Sequence, residues 1–138
     1  MKNKISLLIV FLVQVVVVHA QFDEWFYSKT LRMDYQHSGT SKTELFSFQE
    51  WVEEPYWGGS TVNLIDTFGY GEYQMQLIDK ATTKILYSRG FSTLFSEWQT
   101  TDEAGHLNRS FPEALVMPYP KKDAVVVIFS RNRKGVFE

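Results

Sequence analysis

The sequence predicts an all-β fold, an antiparallel β-sandwich of about seven or eight short strands. Its first signal is alternation: within Thr30–His37, Leu31, Met33 and Tyr35 are separated by polar residues. This period of two is that of a half-buried strand. The second signal is Ala124–Phe129, a nearly unbroken β-branched run suited to a buried strand. The third is spacing, because short strands with a turn about every 8–12 residues are typical of a sandwich.

The remaining predicted strands follow the same two signals, apolar alternation bounded by turn residues. They are Thr43–Val52, with Phe46 and Phe48 inward, then Val62–Thr67, Glu72–Ile78, Ile85–Phe91 and Ala114–Met117. Asp79–Lys84 has the composition of a hairpin connection.

One segment lacks the strand pattern and is rich in large apolar side chains. Phe91–Ala104 is predicted to be a long packed loop, with room for one helical turn, and it contains Phe95 and Trp98. Rings of this size must be covered, since an exposed aromatic cluster is a sticky patch. They are either anchors packed on the core or a docking surface for a neighbouring molecule.

Residues 1–20 have the layout of a signal peptide and are excluded from the fold. Lys2 and Lys4 precede an apolar run, and Val18-His19-Ala20 resembles a cleavage site. The run is short for a membrane anchor, which needs about 20 apolar residues, although an uncleaved anchor is the alternative. Residues 21–138 form one domain by length, and we expect an exported protein, periplasmic, surface-bound or secreted, without membrane attachment after cleavage.

Charge and cysteine content narrow the class further. Loss of the two leader lysines takes the formal net charge from −2 to −4, which disfavours a nucleic-acid partner. The chain has no Cys, whereas small secreted eukaryotic domains are usually rich in disulfides. A bacterial exported protein that depends on its apolar core is therefore expected.

The sequence offers no active site. After the leader it has two histidines, His37 and His106, each in or beside a predicted turn and each interpreted as a surface residue. There is no H-E-x-x-H, no G-x-S-x-G and no Cys nucleophile. Carboxylates are plentiful but without a diagnostic spacing. We therefore predict no catalytic, metal-binding or cofactor-binding residue, and no cofactor.

The best ligand candidate is the loop that contains Tyr56 and Trp57. Beside Gly58-Gly59 these rings could stack on a sugar, or they could fold back as a lid over the core. A mildly acidic chain without a second obvious aromatic platform argues against the sugar. We therefore expect no measurable glycan binding at this loop.

Three segments together resemble the N-terminal domain of the IgA-peptidase family of zinc metallopeptidases. They read FDEWFYSKTLRMDYQHSG from Phe22, YSRGFSTLFSEWQTTDEA from Tyr87 and RSFPEALVMPYPKK from Arg109. Their order and spacing also agree with that family. The resemblance implies a small β-sandwich that precedes a catalytic domain in an exported bacterial protease.

The same resemblance implies that the zinc-binding H-E-x-x-H lies further along, in the catalytic domain. This chain reaches Glu138 without such a motif, so no metal ligand is transferred to it. We expect a noncatalytic accessory domain, not an enzyme by itself, with a metallopeptidase catalytic domain following Glu138 as its partner. The alternative is an independent carbohydrate- or protein-binding β-sandwich module.

Overall fold

The computed structural model describes residues 21–138, and the predicted leader, residues 1–20, lies outside the described residues. Six strands form two three-stranded antiparallel sheets, ordered β2-β1-β5 and β4-β3-β6. The strands are β1 (Phe26–Gly39), β2 (Glu44–Glu54), β3 (Tyr73–Asp79), β4 (Ile85–Phe91), β5 (Arg109–Pro120) and β6 (Ala124–Ser130). The predicted all-β, sandwich-like fold is confirmed, with six strands in place of seven or eight.

The long strand β1 is the centre of its sheet and carries the inner face. The predicted alternation is confirmed, since Met33, Tyr35 and His37 are buried along it. The strand starts earlier than predicted because the rings of Phe22 and Phe26, whose centroids are 5.3 Å apart, are buried in the core. Burial of these large rings stabilises the N-terminal extension of the strand.

Val62–Thr67 is not a strand, and that prediction is wrong. The segment runs beside β4, but side chains replace most of the backbone ladder. Ser88 N–H donates to the Leu64 carbonyl (2.9 Å), whereas Gly90 N–H donates to the Asp66 carboxylate (3.0 Å). Apolar alternation correctly predicts that Leu64 is buried. It does not show whether the backbone N–H and C=O groups form hydrogen bonds with another strand or with side chains.

The strand predicted at Ala114–Met117 extends over Arg109–Pro120 and includes two prolines, Pro112 and Pro118. Proline cannot donate to a ladder, so it is tolerated on edge strands. Strand β5 is an edge of its sheet, which explains why the prolines do not shorten it.

Strand β2 is the opposite edge, and its inner face is incompletely covered. The register places Phe46 opposite His37 and Phe48 opposite Tyr35, and residues paired in this way share a face. Phe46 is half-buried, but Phe48 is 56% exposed. Phe48 therefore faces inward as predicted, but its side chain is not buried.

Between β4 and β5 the chain forms a short helix, α1 (Leu94–Trp98), and a 3-10 turn, Glu103–Gly105. Together they make the predicted packed loop with its helical turn. Within residues 21–138, no helix combines the length and apolar character needed to cross a membrane.

Candidate functional site

The most unusual feature of the interior is an ionisable cluster around His37. Its side chain is 0% exposed, yet both ring nitrogens meet carboxylates. Nε2 lies 2.7 Å from Glu44 Oε1, and Nδ1 lies 3.0 Å from Glu113 Oε2. A buried histidine between two carboxylates is an ion-pair network and the strongest candidate for a site in residues 21–138.

The strand register brings these groups together. His37 lies on the inner face of β1, Glu44 begins β2 opposite Gly39, and Glu113 lies in β5 opposite Tyr35. Because directly opposed residues share a face and alternate residues return to it, all three side chains converge on one end of the sandwich.

Aromatic rings seal the cluster. Phe46 and Phe95 stack on the two sides of the His37 ring, with centroid distances of 4.1 and 4.0 Å, and Tyr73 of the second sheet meets it edge-on at 5.4 Å. The imidazole is thereby held between both sheets and α1, with no face open to water.

Each carboxylate has further donors. Tyr35 Oη donates to Glu113 Oε2 at 2.8 Å, and Tyr73 Oη donates to Glu44 Oε1 at 2.6 Å. The backbone N–H of Phe95, at the start of α1, donates to Glu113 Oε1 at 3.3 Å. Burial, followed by these hydrogen bonds to carboxylates, raises the pKa of both tyrosines far above the ordinary range, so both remain neutral donors.

The charges within the cluster favour the ionised states of His37 and of both glutamates. Burial alone would lower the pKa of His37, but its hydrogen bonds and charge attraction to Glu113 and Glu44 outweigh that effect and raise it. Burial would likewise raise the pKa of both glutamates, whereas their bonds to His37 and to the tyrosines lower it. The folded state therefore favours an imidazolium between two carboxylates.

This arrangement is suited to structure and not to catalysis. A general base or a metal ligand needs a free nitrogen facing a substrate or an ion, and both His37 nitrogens are occupied and shielded. The interpretation of His37 as a surface residue is wrong. His37 continues the inward alternation of Met33 and Tyr35, and that parity is the sequence signal that reveals it. His106 is exposed.

Phe95 and Trp98 are the two buried side chains of α1 in the packed loop. Phe95 is fully buried against His37, and Trp98 is buried beside Phe111, at a ring distance of 5.6 Å. Trp98 Nε1 donates to Glu103 Oε2 at 2.7 Å, which satisfies its polar atom. Thr93 caps the helix by accepting from Ser96 N–H at 3.1 Å. Both aromatic side chains thus face the interior of this chain.

The side chains of Tyr56 and Trp57 differ in their environment, since Tyr56 is exposed and Trp57 is half-buried. Trp57 is half-buried, meets Tyr87 edge-on at 5.8 Å, and donates from Nε1 to the Ser60 carbonyl at 3.1 Å. Tyr56 is exposed, and only its backbone is held, by Thr30 Oγ1 at 2.7 Å. The two rings do not form one platform.

Across residues 21–138 no group of three or more His, Cys, Asp or Glu side chains is arranged to hold a metal ion. Curated proteins gave no match. The family model described as the peptidase M64 N-terminus matches residues 21–138. The chain therefore belongs to the peptidase M64 N-terminus family.

Proposed function

We propose that this chain is a noncatalytic accessory domain that precedes the catalytic domain of a zinc metallopeptidase and packs on it or assists its folding. The observation that carries the proposal is the family match across residues 21–138. The closed state of the His37 cluster supports the noncatalytic part, because its nitrogens and carboxylates are engaged with one another.

A peptidase assay tests the noncatalytic part. Purified protein comprising residues 21–138 should leave a casein-type substrate intact, with or without added zinc. Chelator-sensitive cleavage that co-purifies with the protein would overturn the proposal. Sequencing the reading frame beyond Glu138 tests the accessory part, since an H-E-x-x-H downstream is expected and a stop codon directly after Glu138 would remove the partner.

Export is part of the same proposal and rests on residues 1–20. Lys2, Lys4 and the apolar run that follows have the pattern of a cleavable signal peptide. Mass spectrometry of the exported protein should show Gln21 as the first residue. Exported protein that begins at Met1 would contradict cleavage.

A binding module is the second candidate, and one surface favours it. The rings of Phe68 and Tyr70 are nearly parallel, 10° apart with centroids at 5.7 Å, and they are 75% and 74% exposed. Asn63 and Arg89 line the adjoining shallow cavity. This exposed aromatic pair, which the sequence pattern did not reveal, supports the binding-module candidate, whereas Tyr56 and Trp57 do not form such a pair.

A glycan array separates the two candidates. The accessory role predicts no saturable binding to the chain. Binding that is lost in Phe68→Ala/Tyr70→Ala and kept in Tyr56→Ala, with unchanged circular dichroism, would favour the binding module.

A further inference from the structure

The sandwich has an open side between β2 and β6. These strands are edges of their respective sheets, and Glu44, Tyr73 and Ser130 line a shallow cavity between the start of β2 and the end of β6. Phe46 of the first sheet and Ile128 of the second sheet pack against the core, but both side chains are only partly buried. This side is therefore where one more strand would complete the second sheet.

Two aromatic side chains on β2 face this opening. Trp51 pairs with buried Met33, and Phe48 pairs with buried Tyr35, so both rings lie on the inner face of the sheet. Their centroids are 5.5 Å apart, and Trp51 is 47% exposed. Inner faces of packed sheets are normally covered by a facing strand. Within residues 21–138, the second sheet ends at β6, before it reaches these rings.

The end of the chain already turns back along β6. Ser130 and Glu138 exchange both backbone hydrogen bonds, at 3.0 and 2.9 Å, and Asn132 N–H donates to the Val136 carbonyl at 2.8 Å. The Arg131 guanidinium fixes this hairpin by donating to the carbonyls of Gly71 (2.9 Å) and Gly135 (2.6 Å). Glu138 is therefore in antiparallel register beside the outer edge of β6.

The outer edge of β6 continues this register. Because Ser130 directs its N–H and C=O towards Glu138, alternation directs those of Ile128 and Val126 to the same side. The intervening residues direct theirs towards β3. In the described part of the chain no strand pairs with this outer edge. Unpaired backbone N–H and C=O groups on a strand edge form a template for the addition of another strand. Here they lie in register with the chain at Glu138.

We propose that the segment following Glu138 in the longer protein adds as a fourth strand on the outer edge of β6 and covers Phe48 and Trp51. This inference rests on the proposed function, in which the chain continues into a catalytic domain. The second residue after Glu138 would pair with Ile128 and the fourth with Val126. Both positions would face the β2 rings, so both should be apolar. The covalent connection makes the pairing intramolecular, and it fixes the direction in which the next domain leaves.

Hydrogen exchange tests the added strand. Protein produced from the full reading frame should exchange the amides of Ile128 and Val126 about tenfold more slowly than the chain ending at Glu138. The amides of Val127 and Phe129 face β3 and should be protected in both proteins. Equal exchange of the Ile128 and Val126 amides in the two proteins would overturn the proposal.

A matched pair of variants tests the cover over β2. In the full-length protein, Phe48→Ser should speed exchange at Ile128 and Val126 towards the values of the shorter chain. Leu45→Ser is the control, because Leu45 is exposed on the outer face of the same strand, and it should leave those amides unchanged. Equal effects of the two substitutions would contradict a strand packed on Phe48.

The outcomes separate this inference from the proposed function. A peptidase domain downstream with unprotected Ile128 and Val126 amides overturns the strand alone. A stop codon directly after Glu138 overturns both. Protection of those amides in the shorter chain that grows with protein concentration would assign the edge to a second copy, and would overturn the assignment to the following segment.

Discussion

His37 binds its proton more tightly in the folded protein than in the unfolded chain. The cost of burying an ion is several kcal/mol, and the two carboxylates and two tyrosine hydroxyls around it offset that cost. Removal of one partner leaves the others buried and unmatched. The cluster therefore couples the charge state of the interior to the stability of the fold.

Stability should be greatest in a window of mildly acidic pH. The pKa of His37 is raised above 6.5, so its contribution is full below about pH 6.5 and is lost as the pH rises through the folded value. The pKa values of Glu44 and Glu113 are lowered below 4.5, so their contribution is full above about pH 4.5 and is lost on acidification. Urea unfolding from about pH 2.5 to about pH 9 should show this maximum, with the acidic limb below about pH 4.5 and the alkaline limb above about pH 6.5.

Variants assign the alkaline limb of that profile to His37. His37→Gln should remove the fall in stability above about pH 6.5, and it should destabilise the protein at pH 5.5 by about 3–5 kcal/mol, because two carboxylates lose their buried partner. His106→Gln changes an exposed histidine and serves as the control. An unchanged alkaline limb in His37→Gln would contradict the assignment.

The cluster shows what residue patterns do and do not reveal. The alternation of Met33 and Tyr35 extends to His37, and that of Leu115 and Met117 extends back to Glu113, so the inward parity of both polar residues is present in the sequence. What the sequence does not show is the pairing of β1 with both β2 and β5. Without that pairing, a histidine and a glutamate 76 positions apart have no visible relation.

At the scale of elements, α1 depends on its surroundings. Five residues cannot form a stable helix in isolation, since a marginal helix needs about 12–15. The Thr93 cap, the bond from Phe95 N–H to Glu113 and the bond from Gln99 Nε2 to the Thr40 carbonyl (2.9 Å) hold it in place. The loop is therefore part of the core and covers His37.

Truncation of an anchor in this helix should be severe. Trp98→Ala removes a buried ring that contacts Phe95 and Phe111, and should cost about 3–5 kcal/mol of unfolding free energy. Leu94→Ala, in the same helix but exposed, should cost far less. Chemical denaturation measures both. An unchanged midpoint in Trp98→Ala would contradict a packing role and favour docking.

The last residue of β1, before the turn to β2, must be glycine. Gly39 has φ of 151°, and a Cβ there would lie 2.0 Å from the Thr43 carbonyl oxygen. Gly39→Ala should therefore destabilise the protein by about 1–3 kcal/mol. Gly105→Ala meets open space and should be nearly neutral. Thermal unfolding compares them, and equal melting temperatures would show that the turn relaxes without cost.

Element prediction succeeds where one face of a strand is buried. The β3–β4 hairpin follows from its pattern, and Thr82 N–H donates to Asp79 Oδ2 at 2.8 Å in the turn. It fails at Val62–Thr67, where Asp66 replaces ladder bonds, because side-chain satisfaction of backbone groups leaves no periodic trace. Sequence patterns also cannot locate the edge of a sheet. The exposure of Phe48, which faces inward on the edge strand β2, is therefore not predicted.

At the scale of the whole molecule, one polar cluster joins both sheets. In the polar cluster, Tyr73 belongs to β3, whereas His37, Glu44 and Glu113 belong to the other sheet. The largest apolar cluster also contains residues of both sheets, Met33 and Leu115 from one and Met75 and Leu77 from the other. Neither sheet has a separate core. Separation of the sheets would expose apolar side chains and break the bond from Tyr73 to Glu44 in the same step.

Residues 21–138 should therefore unfold in one cooperative transition. Tryptophan fluorescence reports on all four tryptophans of these residues, among them Trp98 in the packed loop and Trp51 at the open side. Far-ultraviolet circular dichroism reports on both sheets, and the two curves should coincide in urea. Tyr73→Phe should weaken the link between the sheets by about 1.5–3 kcal/mol, because a hydrogen bond to a charged group is lost, while the curves remain coincident. Two separate midpoints in the unsubstituted protein would show that the sheets are independent folding units and that the cluster does not couple them.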